Sequence, residues 1–175
     1  LEKTGQKLPH LKRVVIGGSA CPRAMTKTFQ DVYGVEVIHA WGMTEMSPLG
    51  SLCTMKPDYA GLTGEARLDI AQKQGFAPFG VEMKITDDSD VEHDWDGRTF
   101  GRLKVRGPAV ARAYYGGAGT EQFDDEGWFD TGDVAHIDRY GYMQITDRAK
   151  DVIKSGGEWI STIDLENLAV GHPDV

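Results

Sequence analysis

Residues 11–50 read LKRVVIGGSACPRAMTKTFQDVYGVEVIHAWGMTEMSPLG, and this stretch decides the fold. The apolar runs at 11–16 and 35–40 are each typical of a short buried strand. Between them, apolar side chains recur at helical spacing, Pro22 suits the first turn of a helix, and Gly34 suits its end. The order strand, helix, strand predicts a βαβ unit with two parallel strands and a right-handed crossover.

Two loops follow the predicted strands, one at the carboxyl end of each. The first is GGSAC at 17–21, and the second is WGMTEMSP at 41–48. Since ligands of open parallel sheets bind at this edge, we expect residues 17–21 and 41–47 to lie on one rim of a binding site. The first loop lacks the Lys-Ser/Thr ending of a P-loop, so it suits either a flat base lying on its backbone or a tight strand-to-helix turn.

The rest of the chain has a different pattern. Between 51 and 146, short strand patterns are separated by glycines and prolines, and a hairpin signal lies at 138–141. This part predicts an antiparallel β-barrel or a sandwich of short strands. Residues 147–157 are polar and glycine-ended, which favours a linker between two folded bodies, and a helix is expected from Ser161.

The composition argues against several classes of protein. The 175 residues contain 19 Lys and Arg against 27 Asp and Glu, and the resulting net charge of −8 argues against nucleic-acid binding. No apolar run approaches the roughly 18 residues of a membrane span. Cys21 and Cys53 have the spacing of neither a zinc site nor a disulfide framework, which favours a reduced, cytoplasmic compartment. Because the chain starts at Leu1 and not at Met, we expect an internal piece of a longer protein.

Thr44 and Glu45 follow the second predicted strand and are candidates for phosphate chemistry. A hydroxyl can donate to a phosphate oxygen, and a neighbouring carboxylate can bind Mg²⁺ together with substrate phosphates. The same residue types also suit an ordinary cap between a loop and a helix. His39, close by, suits either a pocket wall or a packed core, and none of the five histidines has metal-ligand spacing.

Asp133 follows a glycine turn and is a candidate for binding a sugar. A carboxylate in this position can accept hydrogen bonds from two sugar hydroxyls, and Arg148 can donate to the same sugar. Asp133 equally suits an Asx-type turn. Arg148 equally suits a surface ion pair with Asp147 or Asp151.

Five segments occur in an order that is typical of one enzyme superfamily. They are GGSACP at 17–22, HAWGMTE at 39–45, GRLKVRGPAVARAYYGG at 101–117, GWFDTGD at 127–133 and GYMQITDRAKDVIKSGGEWIS at 141–161. Together they resemble the adenylate-forming superfamily of acyl-CoA synthetases, firefly luciferase and peptide-synthetase adenylation domains. The tail IKSGGEWISTIDLEN is most similar to medium- and long-chain fatty acyl-CoA synthetases.

The resemblance implies an enzyme that makes an acyl-adenylate from a fatty acid and Mg-ATP and then transfers the acyl group to coenzyme A. The expected fold class is α/β plus β, with part of a mixed α/β layer in 1–50 and a distorted β-barrel in 51–146. A hinge and the start of a small α+β lid are expected in 147–175. Two other interpretations stay open, a ligase for an aryl or short-chain acid and a non-catalytic nucleotide-binding module. A homodimer is compatible with all of them.

The resemblance also implies roles for single residues. Thr44 matches the phosphate-binding position and Glu45 the magnesium-binding position, and these two form the expected catalytic pair. The other expected cofactor-binding residues are Ser19, Ala20, Cys21, Trp41, Gly42, Met43, Asp133, Ile145, Arg148, Gly157 and Trp159.

Some of these positions carry more specific expectations. Asp133 and Arg148 match the ribose-binding pair, Gly42 borders the acyl pocket, and Lys150 matches the hinge. Gly157 and Trp159 match positions near the tunnel for the pantetheine arm of coenzyme A. By the same resemblance, the phosphate loop lies before Leu1 and the catalytic lysine of the lid after Val175. We therefore expect that residues 1–175 alone do not catalyse adenylation.

Overall fold

The computed structural model describes Gly5, residues 9–149, the backbone of two strands at 153–155 and 158–160, and positions 162, 165 and 169. Its first part contains strand β1 (Arg13–Ile16), helix α1 (Arg23–Asp31), strand β2 (Glu36–Gly42) and strand β3 (Leu49–Leu52). β1 and β2 are parallel neighbours, so the predicted βαβ unit is confirmed. β3 then pairs antiparallel with β2 and completes a three-stranded sheet in the order β1-β2-β3.

A second helix, α2 (Gly64–Ala71), packs against α1 and β2. The sequence pattern did not predict it, because the stretch from 51 to 146 was assigned to β structure. Its first turn is polar and its buried side chains, Leu68, Ile70 and Ala71, all lie in the last turn. A single apolar turn is too short to produce a recognisable helical period.

The second sheet contains β4 (Glu82–Thr86), β5 (Gly101–Arg106), β6 (Phe129–Ile137) and β7 (Met143–Arg148). All neighbouring pairs are antiparallel, in the order β4-β5-β6-β7. The expected antiparallel character is confirmed, but the expectation of a barrel is wrong for the described part of the chain, where the sheet is open. Among the described strands β7 does not pair with β4, and its outer edge instead bridges from Met143 to Gly75.

The main core lies on one face of the second sheet. It is formed by ten buried residues: Met46, Met83, Ile85, Leu103, Val105, Val110, Phe129, Ala135, Ile137 and Met143. Each large apolar side chain contributes on the order of 1.5–3 kcal/mol when it is removed from water. Met46 is 1% exposed and belongs to the single 3₁₀ turn Thr44–Met46 that follows β2. Its burial therefore docks the predicted Thr44-Glu45 loop onto the second sheet.

The chain after β7 is described in part. Strands β8 (Ile153–Ser155) and β9 (Glu158–Ile160) form an antiparallel pair, and positions 162, 165 and 169 have helical backbone. Trp159 lies in β9, whereas Lys150 and Gly157 lie outside the described residues. The domain limits at 50 and 146 stay predictions. No helix in the described ranges is long and apolar enough to cross a membrane.

Gly75 should be intolerant of any side chain. It has φ +87, and a Cβ atom there would lie 2.1 Å from the carbonyl oxygen of Leu52. We expect Gly75→Ala to lower the free energy of unfolding by at least about 2 kcal/mol, from backbone strain and steric overlap together. Urea denaturation measures the change. Gly61→Ala is the matched control, since its Cβ would meet no atom within 4 Å, and a loss as large there would contradict the explanation.

Candidate functional site

A pocket of about 530 Å³ lies where the two sheets meet. One wall is the loop after β1, represented by Gly18, Ser19 and Ala20, and a second is the end of β2 from His39 to Gly42. The second sheet supplies the opposite wall. Of the two loops predicted to share one rim, residues 18–20 and 41–42 do line one pocket, because parallel strands place their carboxyl ends at the same edge of a sheet.

Asp133 on β6 is a buried charged group in this pocket, with 5% of its side chain exposed. Its Oδ2 accepts a hydrogen bond from the Trp41 indole N–H at 2.9 Å, and its Oδ1 lies 3.0 Å from Arg148 Nε. Burial raises the pKa of Asp133, while the Arg148 charge and the indole donor oppose that shift. The carboxylate thus holds two fixed donors and keeps lone pairs towards the cavity.

The described partners of Asp133 and Arg148 differ from those of an Asx-type turn at Asp133 and of an ion pair between Arg148 and Asp147. The role of turn stabiliser belongs to Asp130, whose Oδ1 accepts the Gly132 N–H at 2.9 Å. Arg148 makes its ion pair with Asp133, which is its register partner across β6 and β7. Asp147 instead accepts the backbone N–H of Arg148.

His39 is both packed and at the pocket wall, so each of its two predicted environments is present. Its Nδ1 lies 3.0 Å from the carbonyl oxygen of Gln72 and must carry the proton, because a carbonyl oxygen only accepts. Burial lowers the pKa of His39, which keeps the ring neutral. Its Nε2 is therefore an acceptor, and this atom is buried without a partner among the described residues.

Three polar pocket residues were missed as site residues by the sequence analysis. Gln74 comes from the segment after α2, Asp147 from β7 and Thr162 from beyond the predicted linker. Asp147 Oδ2 accepts from both the N–H and the hydroxyl of Thr162, at 2.9 and 2.6 Å. Burial alone would raise the pKa of Asp147, but the hydrogen bonds from Thr162 and Arg148 lower it. No local motif marks these residues, because only tertiary contacts bring them together.

The predicted site residues divide into two groups. Seven line the pocket, namely Ser19, Ala20, Trp41, Gly42, Asp133, Ile145 and Arg148. Cys21 and Met43 pack inside instead. The Cys21 thiol is buried 3.3 Å from the Thr26 hydroxyl, and Met43 lies against the main core.

Thr44 and Glu45 lie beside the pocket in the 3₁₀ turn, with Thr44 exposed and Glu45 half-buried. Glu45 Oε1 accepts a hydrogen bond of 2.6 Å from the Tyr114 hydroxyl, and no other described side chain bonds to this carboxylate. Within the described ranges, no cluster of three or more His, Cys, Asp or Glu side chains could hold a metal ion. Any divalent cation here would therefore depend on Glu45 together with oxygen atoms of a ligand.

Gly42 borders the pocket, but a side chain at this position would collide with the protein backbone. A Cβ atom at this position would lie 1.9 Å from the carbonyl oxygen of Pro48 and 3.0 Å from the backbone nitrogen of Gly50. The chain after β2 folds back onto this strand so closely that only glycine fits. The absence of a side chain at Gly42 is required by backbone packing whatever the ligand.

Comparison with known proteins places this geometry in context. The family model described as AMP-binding enzyme matches residues 1–115. The chain is 50% identical over 171 residues to the medium-chain-fatty-acid–CoA ligase of Ectopseudomonas oleovorans, covering 98% of this chain and 31% of that protein. It is 52% identical over 171 residues to the 3-methylmercaptopropionyl-CoA ligase of Ruegeria lacuscaerulensis, covering 98% and 32%. The chain thus spans about a third of the length of these curated relatives.

A solved structure has the same fold. The O-succinylbenzoate coenzyme A synthetase of Bacillus subtilis, in complex with ATP and magnesium ion, superposes with a TM-score of 0.80 at 26% identity. The match covers 99% of this chain and 34% of that chain. The same protein in complex with its acyl-adenylate intermediate superposes with a TM-score of 0.81.

Gly42→Ala should affect stability as well as the pocket. We expect the free energy of unfolding to fall by about 1–3 kcal/mol, because the new methyl group overlaps the Pro48 backbone. Thermal or urea denaturation of the variant checks this. Unchanged stability combined with an altered preference for acid length would show instead that the methyl group points only into the pocket.

Proposed function

The chain belongs to the AMP-binding enzyme family, and from that premise we propose that it is part of an ATP-dependent ligase that joins a fatty acid to coenzyme A. The observation that carries the proposal is the buried Asp133 carboxylate, held between Trp41 and Arg148 at the meeting of the two loops and the second sheet. The two CoA ligases at 50% and 52% identity support the class of reaction.

The adenosine part of ATP is proposed to bind in the 530 Å³ pocket. The Asp133 carboxylate accepts hydrogen bonds from the ribose hydroxyls, and Arg148 donates to the same sugar. Ser19 and Ala20 are small, so a flat base can lie against their backbone beside Trp41. The unpartnered Nε2 of His39 is an acceptor that suits the exocyclic amine of adenine. Because this atom is buried here, the proposed contact requires the pocket wall beside His39 to open when adenine binds.

The phosphates are proposed to lie beside Thr44 and Glu45. Mg²⁺ is bound in proteins through one or two carboxylates together with substrate phosphates and water, and a single half-buried carboxylate satisfies that requirement. Glu45 fits because its described partner is the neutral hydroxyl of Tyr114, so no cation competes for its charge. When bound, magnesium neutralises charge that develops on the phosphate oxygens. Thr44 is exposed on the same turn and can donate its hydroxyl to a phosphate oxygen.

The reaction has two steps. A carboxylate oxygen of the acid attacks the α-phosphorus of ATP, an O–P bond forms and pyrophosphate leaves with the electron pair. The thiol of coenzyme A then attacks the acyl carbon, its proton is lost, and AMP leaves. The residues of this chain hold the nucleotide through both steps. A rotation about Lys150 that brings Gly157 and Trp159 to the site belongs to the same proposal.

The acid is proposed to be a medium- or long-chain fatty acid. A second candidate is a short thioether acid, because the relative at 52% identity is named for 3-methylmercaptopropionate. Aryl acids are the third class to test. A cytoplasmic location of the full-length enzyme is part of the proposal.

Acid-dependent ATP–pyrophosphate exchange tests the proposal in the full-length protein that contains this chain. We expect exchange with octanoate or palmitate and little with benzoate, and 3-methylmercaptopropionate distinguishes the second candidate. Asp133→Asn should reduce exchange by about tenfold to a hundredfold, the effect of losing a charged hydrogen-bond partner. A folded protein that binds ATP but exchanges pyrophosphate with none of these acids would support the non-catalytic nucleotide-binding module instead.

The proposed contact between His39 and adenine predicts a pH dependence. The free ring has a pKa below its ordinary value of 6.5, so Nε2 accepts a hydrogen bond at neutral pH. Below that pKa it becomes a donor, and ATP affinity should fall by at most about tenfold per pH unit. Fluorescence or calorimetric titration between pH 5 and 8 measures this on the full-length protein.

His39→Gln is the control for that titration. The glutamine amide oxygen accepts a hydrogen bond but does not titrate, so the loss of affinity at low pH should disappear. Asp133 and Asp147 also border the pocket. Because both carboxylates are present in wild type and in His39→Gln, their contributions to the pH dependence of ATP affinity cancel in the comparison. Identical pH profiles for the two proteins would exclude the contact with adenine.

A further inference from the structure

Glu45 is held by the segment that follows β5, which contains none of the proposed ligand-binding residues. The segment after β5 reaches back to the 3₁₀ turn and makes two hydrogen bonds with this single residue. The Ala111 N–H donates to the Glu45 carbonyl oxygen at 2.7 Å, and the Tyr114 hydroxyl donates to Glu45 Oε1 at 2.6 Å. Backbone and side chain of Glu45 are thus fixed from the same side.

Tyr114 is itself fixed by aromatic packing. Its ring lies edge-on to Phe123, with centroids 5.5 Å apart, and edge-on to Phe129 at 6.5 Å. Phe129 is 1% exposed in β6 and belongs to the main core. On the other side, a Cβ atom at Gly119 would lie 2.9 Å from the Tyr114 ring. The hydroxyl therefore points at Glu45 from a ring that is supported by the core.

A tyrosine is chemically suited to hold a carboxylate that must bind a cation. A lysine or arginine would neutralise the carboxylate, whereas a phenol orients one oxygen and leaves the negative charge in place. The Tyr114 hydroxyl donates to Glu45 as a neutral group, because a phenol ordinarily keeps its proton up to about pH 10. Glu45 Oε2 has no partner among the described residues. The bond at Oε1 fixes the plane of the carboxylate and thereby the direction of the lone pairs of Oε2.

We propose that Tyr114 is a positioning residue that orients the Glu45 carboxylate for the divalent cation bound with ATP. The inference rests on the proposed function, in which Glu45 holds magnesium, and it adds the residue that sets the geometry of that carboxylate. Tyr114 touches neither substrate nor metal and acts only through Glu45. Its removal should weaken the binding of the metal and leave the acid site unchanged.

The test uses the full-length protein and Tyr114→Phe, which keeps the packed ring and deletes only the hydroxyl. Mn²⁺ binding is measured by electron paramagnetic resonance in the presence of α,β-methylene-ATP, an analogue that cannot form the adenylate. We expect the dissociation constant for Mn²⁺ to rise about tenfold, the usual effect of losing a hydrogen bond to a charged group. In exchange assays, the Mg²⁺ concentration for half-maximal rate should rise similarly, with the KM of the acid unchanged.

Tyr115→Phe is the matched control. Tyr115 is the next residue and is fully exposed, so loss of its hydroxyl should leave Mn²⁺ binding and the KM of the acid at the wild-type values. Melting temperatures of both variants within about 2 °C of wild type establish that the fold is retained. In a Glu45→Gln background, Tyr114→Phe should have no further effect on Mn²⁺ affinity, because its route of action is already lost.

The outcomes separate this inference from the function on which it rests. If Glu45→Gln weakens Mn²⁺ binding but Tyr114→Phe does not, the positioning role is refuted and the proposed function stands. If Glu45→Gln leaves Mn²⁺ binding unchanged, both the assignment of Glu45 and the role of Tyr114 are refuted. The positioning role is also refuted if Tyr114→Phe weakens Mn²⁺ binding by the same factor in the Glu45→Gln background. The effect of Tyr114 would then not act through Glu45.

Discussion

Residues 74–76 join the two sheets, and the pocket depends on this join. Phe76 exchanges two backbone hydrogen bonds of 3.1 Å with Leu52 in β3, and Gly75 accepts one of 2.7 Å from Met143 in β7. The side-chain amide oxygen of Gln74 accepts the Ile145 N–H at 2.7 Å. A segment bonded on both sides cannot slide, so β2 is held close enough to β6 for Trp41 to reach Asp133, 92 positions later.

Two carboxylates of the site, Asp133 and Glu45, have surroundings that suit them to different ligands. Asp133 is buried and already paired with the Arg148 guanidinium, so its local charge is largely compensated and it favours neutral hydroxyl donors. Glu45 is half-buried and bonded to a neutral phenol, so its charge remains available to a cation. In the proposed function, the charge of the protein partner thus directs one carboxylate to a sugar and the other to a metal.

The parts of the structure that were predicted correctly are those encoded by local patterns. The apolar runs that flank α1 gave the parallel strands, and the hairpin signal at 138–141 located the turn between β6 and β7. The shared rim followed from the geometry of parallel strands. The open sheet and α2 depend on the bridge at Gly75 and on a single apolar turn, which no local period reveals. The partners of Asp147 and Glu45 are likewise distant in sequence, 15 and 69 positions away.

The contact between Asp147 and Thr162 bears on how the chain beyond β7 can move. Asp147 is 3% exposed and receives two of its three described hydrogen bonds from Thr162, across the position of Lys150. The proposed rotation about Lys150, if it separated Thr162 from β7, would remove both donors from a buried carboxylate, at a cost of about 1–3 kcal/mol for each. The orientation seen here is thus a favoured one. A second orientation requires either a ligand that compensates this loss or new donors to Asp147, because an unpaired charge cannot remain buried.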